Sequence, residues 1–207
     1  MNKPVKKAII VGATSGIGRE LARLLTSDGY KVGIVGRRAG LLKELKKENP
    51  SSYVIKAFDV AETDTVPQLL GALSAELGGL DLLVISAGTG DINDKLDFET
   101  EKKTIDTNVY GFTAVADWAL RFFENQKHGH LAAISSVAGL RGNRRVPAYN
   151  ATKAFQINYL EGLRLRSGRI KGITVTDIRP GFVDTRMAKG NRLWIVSPET
   201  AARRISV

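Results

Sequence analysis

A short β-branched run, Lys6-Lys7-Ala8-Ile9-Ile10-Val11, leads directly into Gly12-Ala13-Thr14-Ser15-Gly16-Ile17-Gly18, and no other feature of the 207-residue chain constrains its fold as much. The run reads as a buried strand. After the glycines, apolar residues fall at Ile17, Leu21, Leu24 and Leu25, a helical period. Glycines permit a tight turn and close backbone approach. The first N–H groups of the helix, at the positive end of its dipole, face whatever anion sits in that turn. The segment therefore suits a pyrophosphate, although the same residues would also serve as a bare connector. Its spacing, Gly-x-x-x-Gly-x-Gly, is one residue looser than the common dinucleotide fingerprint, and no Gly-Lys-Ser/Thr follows to make a Walker loop.

The rest of the chain repeats the alternation. Strand-like apolar runs recur at 6–11, 31–35, 53–58, 80–85, 130–135 and 172–178, with helical patterns at 17–28, 39–48, 62–77, 98–125 and 147–167. Such alternation predicts a doubly wound α/β fold: a parallel sheet with helices on both faces. The glycine turn after the first strand favours the Rossmann version, with strand order 3-2-1-4-5-6. Without an internal repeat or linker, and with 43% hydrophobic residues, residues 1–207 are expected to form a single domain.

A second constellation lies at Ala148-Tyr149-Asn150-Ala151-Thr152-Lys153, where a phenol and an ammonium sit four residues apart. On a helix these share one face. Lowering a phenol from about 10 to about 7 requires roughly 4 kcal/mol of preference for the phenolate. One ammonium about 4–5 Å away, at an effective dielectric near 20, supplies about that much. The pair can thus form a tunable proton donor, although this spacing is common on ordinary helices.

With both constellations present, the chain resembles the short-chain dehydrogenase/reductase family from residue 5 to about 203, with the motifs in the family's order. Gly12, Gly16 and Gly18 match its nucleotide turn, which also contains Thr14, Ser15 and Ile17. Asp59-Val60 matches the adenine-binding position, and Ser86-Ala87-Gly88 an Asn-Ala-Gly turn with Ser in place of Asn. Asn108-Val109-Tyr110-Gly111 matches the Asn-x-x-Gly of the central helix. Ser136, Tyr149 and Lys153 match the catalytic set, and Pro180-Gly181-Phe182-Val183-Asp184-Thr185 the nicotinamide-side loop.

The resemblance implies hydride transfer between a nicotinamide and a carbonyl or alcohol. Tyr149 is then the general acid in reduction, Lys153 lowers its pKa and holds the ribose hydroxyls, and Ser136 donates to the developing alkoxide. Asn108 is implied to fix a water relaying protons through Lys153; a core polar group that merely distorts its helix is the alternative. Cofactor contacts are implied for the glycine turn, Asp59, Val60, Ala87, Gly88, Tyr149, Lys153, Pro180, Gly181, Val183 and Thr185. The second strand ends Val35-Gly36-Arg37-Arg38, with Gly where an NAD-type acid would stand and two Arg after it. An arginine fork suits a 2′-phosphate, so Arg37 and Arg38, aided by Ser15, favour NADP(H) over NAD(H). A nucleotide-bound regulatory protein without turnover is the competing reading.

Composition removes other classes. There is no Cys, so thiolate nucleophiles, disulfides and cysteine-bound zinc are excluded. His128 and His130 fall in a polar loop and read as a solvated connector, with no metal site expected. The surplus of 31 basic over 21 acidic residues is dispersed and reads as solvated surface, with no nucleic-acid role. With no secretory leader and no apolar stretch long enough for a membrane span, a cytoplasmic, soluble protein is expected. Substrate lining is expected between Ser136 and Tyr149, where Arg141, Arg144 and Arg145 are candidates to meet an anionic substrate, and after Thr185, where the segment 186–194 is short for a substrate lid and suggests an open pocket that Trp194 flanks unless it packs in the core. Ser197-Pro198 opens a last helix with a Ser cap, yet the chain stops at Val207. Since the family adds a strand there, the C-terminus is expected to be truncated or partly disordered. By family analogy the chain is a homodimer or homotetramer.

Overall fold

The computed structural model describes residues 4–184 and 195–205. Six strands form one parallel sheet: β1 (Lys7–Val11), β2 (Lys31–Gly36), β3 (Tyr53–Ala57), β4 (Leu82–Ile85), β5 (Gly129–Ile134) and β6 (Ile173–Ile178). Their order is β3-β2-β1-β4-β5-β6, as the sequence predicts. In register, Ile9 pairs with Gly33 on one side and Leu83 on the other. Ala8, Ile9, Ile10 and Val11 are all fully buried, because helices cover both faces of the sheet.

One face carries α3 (Val66–Leu77), α5 (Phe112–Gln126) and α6 (Pro147–Ser167), and its core includes Leu70, Leu73, Val115, Ala119, Phe123 and Leu160. The other carries α1 (Gly16–Ser27), α2 (Ala39–Glu48) and α7 (Pro198–Ile205), with Leu21, Leu25, Leu42, Leu45, Ala201 and Ala202 inside. Each fully buried Leu or Ile contributes about 1.5–3 kcal/mol of transfer free energy. Helix α7 starts where the sequence places it, with Ser197 Oγ accepting from the Thr200 N–H at 3.2 Å.

Two features depart from the sequence pattern. The single helix expected over 98–125 is instead α4 (Phe98–Ile105), a π-turn (Asp106–Gly111) and α5. A π-turn adds one residue to the helical repeat and turns backbone carbonyls away from their usual partners; Asn108 lies inside this one. His130 is not in a solvated connector. It lies in β5, half-buried, with Nε2 at 2.8 Å from Thr176 Oγ1, and burial lowers its pKa. Only His128 is exposed. No helix among the described residues is long and apolar enough to cross a membrane, and no His, Cys, Asp and Glu cluster among them could hold a metal ion.

Candidate active site

Strand order reverses between β1 and β4, so the helices that follow diverge to opposite faces and leave a crevice at the strands' C-terminal ends. A cavity of about 1120 Å³ occupies it. Its floor is the glycine turn. Gly12 adopts φ +100°, and a Cβ there would meet backbone atoms only, Ala87 N at 2.4 Å and Ser86 C at 2.7 Å. Gly12 and Ala13 both donate N–H bonds to the Val35 carbonyl at 2.9 Å, which pins the turn to β2. Ser15 sits extended at the start of α1 and makes no capping bond, so its hydroxyl does not cover the helix's first N–H groups. That bare, positively polarised terminus fits a pyrophosphate.

The far side of the turn is cationic. Arg38 donates to Thr14 Oγ1 at 2.5 Å and Ser15 Oγ at 2.8 Å, and Arg37 pairs with Asp59 at 3.3 Å. Gly36 has no room for a side chain, since a Cβ would lie 2.6 Å from Thr14 Cγ2. An acid cannot occupy that strand end without displacing Thr14.

At the opposite end, Ser136, Tyr149 and Lys153 converge on the same cavity. Ser136 starts a 3₁₀ turn (Val137–Leu140), and its Oγ accepts from the Ala138 N–H at 3.1 Å. With one lone pair engaged there, the hydroxyl proton remains to be donated. The neighbouring Ser135 hydroxyl is instead turned to Asp177, which separates the roles of the two serines. Gly90 backs onto the Tyr149 ring, where a Cβ would lie 2.4 Å from Cδ2. Lys153 is buried behind the tyrosine. Its Nζ lies 5.8 Å from the Tyr149 ring centroid and donates to the Ile134 carbonyl at 3.0 Å and to Gln156 Oε1 at 2.8 Å. An ammonium has three donors, so one is not taken among the described residues.

Electrostatics differ from the sequence expectation. Burial raises the Tyr149 pKa, and the Ser136 hydroxyl partly opposes it; Lys153 Nζ bonds to the helix and strand behind the phenol. Lys153 is itself brought down to about 8 by burial, with Asp177 acting in the opposite direction.

Asn108 is fully buried and lies behind the cavity, not in its wall. Its carboxamide clamps Thr89 at both ends, accepting from the Thr89 N–H at 2.9 Å and donating to the Thr89 carbonyl at 2.7 Å. Its main-chain carbonyl accepts from Gln156 Nε2 at 2.8 Å. Gly18 also lies outside the wall. A Cβ on Gly18 would stand 2.3 Å from the Gly12 carbonyl and 2.9 Å from Ser86 Oγ, so it serves close packing of α1 on β1 and β4. Gly12, Thr14, Ser15, Gly16 and Ile17 of the turn line the cavity, as do Arg37, Arg38, Asp59, Val60, Ala87, Gly88, Pro180, Gly181 and Val183. Thr185 and the pocket-lining segment expected over 186–194, Trp194 included, lie outside the described residues.

Arg141, Arg144 and Arg145 do not line the cavity. All three are exposed, and Arg145 pairs with Asp94 at 3.1 Å across the surface. The substrate end is walled mainly by Ile92, Val137, Val146 and Phe182, with Asn143 as a polar member, and Lys103 in the wall lies 3.8 Å from Asp91.

Gly90, Thr89 and Gln156 had no sequence signal, because each acts on a residue far along the chain. Gly90→Ala should push the Tyr149 ring out of line with Ser136. A misplacement of about 1 Å costs up to about 100-fold in rate. Steady-state kinetics should show that loss in kcat with nicotinamide-cofactor affinity within about threefold of wild type; an unchanged kcat would mean the ring is not held by this contact.

Comparison with known proteins agrees with this geometry. A family model described as short chain dehydrogenase matches residues 6–195. An uncharacterized oxidoreductase of Myxococcus xanthus is 39% identical over 191 residues, covering 90% of this chain and 75% of the relative. One from Staphylococcus aureus is 33% identical over 183 residues, covering 87% and 79%. Among solved structures, serine dehydrogenase from Escherichia coli superposes with TM-score 0.85 at 31% identity, covering 97% of this chain and 89% of that one. Actinorhodin polyketide ketoreductase with NADPH superposes with TM-score 0.87 at 26% identity, covering 98% and 89%. With its glycine-lined crevice and its Ser136, Tyr149 and Lys153 gathered at one end, the chain belongs to the short-chain dehydrogenase family and is an oxidoreductase.

Proposed function

We propose that the protein is an NADPH-dependent carbonyl reductase acting on uncharged carbonyl compounds with an apolar body. The observation that carries this reading is one cavity with a cationic, hydroxyl-lined end at Arg37, Arg38, Thr14 and Ser15 and a proton-donating end at Ser136, Tyr149 and Lys153. Arginine suits a 2′-phosphate, and Gly36 leaves no place for the acid that would bind a 2′-hydroxyl. That ElxO was solved with NADP bound, at 25% identity and TM-score 0.81, is consistent with it.

Bound NADPH supplies the hydride for the carbonyl carbon. The protein's part is position and a proton. Ser136 and Tyr149 form a two-donor site for the carbonyl oxygen, whose negative charge grows as the carbon is reduced. Tyr149 then transfers its hydroxyl proton to that oxygen, giving the alcohol. Its raised pKa keeps the phenol protonated at neutral pH, the form needed for reduction. Lys153 places positive charge behind the phenol, where it stabilises the phenolate that remains. The apolar side chains of Ile92, Val137, Val146 and Phe182 in the wall favour a substrate with a hydrophobic body.

Fluorescence titration with NADPH and NADH, followed by turnover on aldehydes and ketones, tests the assignment. Arg38→Ala should reduce the NADPH-over-NADH affinity ratio by about 10- to 100-fold, the value of one charge-assisted contact. Arg37→Ala should reduce it less. The ratio is the informative quantity, since Arg38 also braces the glycine turn and its loss weakens both cofactors. An unchanged ratio in both variants sinks the NADPH assignment, and absence of turnover on any carbonyl with either cofactor sinks the reductase reading.

A further inference from the structure

Gln156 lies three residues beyond Lys153 on α6 and is 1% exposed. Both ends of its carboxamide are engaged. Oε1 accepts from Lys153 Nζ at 2.8 Å, and Nε2 donates to the Asn108 main-chain carbonyl at 2.8 Å. That carbonyl belongs to the π-turn, which frees backbone groups from the ordinary helical ladder. Three chain segments are thereby joined: the β4 loop through Thr89, the π-turn through Asn108, and α6 through Thr152 and Gln156.

We propose that Gln156 is a positioning residue for carbonyl reduction, which ties the Lys153 ammonium to the π-turn and so sets both its direction and its charge. The proposal rests on the reductase reading given above. Two of the lysine's donors are committed backwards, to Gln156 and to the Ile134 carbonyl, so the third points to the Gly88 and Tyr149 side of the cavity. A Cβ on Gly88 would lie 3.6 Å from Nζ, which places the ammonium against that turn. A neutral carboxamide has no mobile proton. Between Lys153 and the Asn108 carbonyl it transmits position, so Asn108 acts on Lys153 through Gln156.

The charge argument follows from the surroundings. Lys153 is buried and has no carboxylate partner in contact among the described residues; its direct acceptors are an amide and a backbone carbonyl. The ionisable groups facing it are Tyr149 on α6 and Asp177 on β6, and the latter is engaged by Ser135 and by Arg179 at 2.5 Å. The π-turn and the β4 loop bring the uncharged Asn108, Thr89 and Gly88 to this side of the lysine. With burial already lowering the lysine to about 8, loss of a strong acceptor should shift it further down.

The test is a titration of Lys153 by its ¹³Cε resonance in cofactor-free protein, run beside pH profiles of NADPH-dependent turnover, for wild type, Gln156→Leu and Gln156→Glu. Lys153→Arg assigns the signal, and thermal unfolding records fold integrity separately. Gln156→Leu should lower the Lys153 midpoint by about one unit or more, move the alkaline limb of kcat the same way, and reduce kcat at pH 7 about tenfold. Gln156→Glu restores the acceptor with a charge and should raise the midpoint above wild type. A Gln156→Leu midpoint within about 0.3 unit of wild type, with the kinetic limb unmoved, would reduce Gln156 to core packing and overturn the proposal. Should Gln156→Leu not fold, Gln156→Glu decides alone: a raised midpoint supports the role and an unchanged one ends it. Wild-type protein that turns over no carbonyl removes the reductase reading, while the resonance titration still decides separately whether Gln156 sets the lysine's charge.

Discussion

Tyr149→Phe should lower kcat for carbonyl reduction by about 10³-fold, within the range that a positioned general acid supplies, and leave NADPH affinity nearly unchanged. The variant is informative because it is almost isosteric. The ring keeps its contact with Gly90, and Lys153 keeps both of its acceptors, since neither is the phenol oxygen. Only the proton and one of two donors to the carbonyl oxygen are lost. Wild-type kcat/KM, which reports free-enzyme ionisations, should fall on the alkaline side. As pH rises through about 8, Lys153 loses its charge and Tyr149 loses the ammonium behind it; at still higher pH the phenol itself ionises and can no longer donate. Tyr149→Phe should remove the phenol's part of that limb. Stopped-flow oxidation of NADPH with an aliphatic ketone measures both effects. A variant turning over within tenfold of wild type would mean the proton comes from elsewhere, and Ser136 would be the next donor to examine.

The second large effect is expected at the glycine turn. Gly12→Ala should destabilise the fold by about 2–5 kcal/mol and abolish detectable NADPH binding. Two costs add. A side chain at φ +100° pays a left-handed backbone penalty of about 1–2 kcal/mol. The new Cβ also meets backbone atoms of Ser86 and Ala87, which cannot rotate away as a side chain would, and overpacking of this kind costs about 1–3 kcal/mol, occasionally more. For a chain of this size that corresponds to a fall of about 10 °C in Tm. Relief of the clash requires the β1–α1 turn to separate from the end of β4, the two segments that floor the cavity. Calorimetry and NADPH fluorescence check the prediction together. Wild-type stability in Gly12→Ala would show that the turn has slack that the close approach to Ala87 denies.

Much of the fold was legible because its signals are local. Buried β-branched runs followed by glycines and helical periods identify the strands, and the strand order follows from the turn after β1. The site was legible to the extent that it is built from short motifs. The i, i+4 spacing of Tyr149 and Lys153 is enough to place both on one face of α6. The arginines at 141, 144 and 145 show the limit. Their position between Ser136 and Tyr149 predicts pocket lining, and Val137, Asn143 and Val146 of that segment do line the cavity, but the three arginines stay on the surface, where Asn150 bonds the Ala138 and Arg141 carbonyls and Arg145 pairs with Asp94. Likewise, the pattern over 98–125 looks like one helix, since hydrophobic period does not register the single extra residue of a π-turn.

What the sequence by itself determined, then, is whatever depends on neighbouring residues: the strand–turn–helix units, the glycine at φ +100°, and the shared face of Tyr149 and Lys153. What only the tertiary structure decided depends on distant segments brought to within a few ångströms. Gly90 sets the tyrosine ring, Gln156 reaches Asn108 across 48 positions in the chain, and Lys153 bonds to Ile134 on β5. The physical reason is that burial and direction belong to the assembled core. The i, i+4 spacing puts an ammonium beside a phenol, but the acceptors behind the lysine decide where it points and burial decides how firmly it keeps its proton.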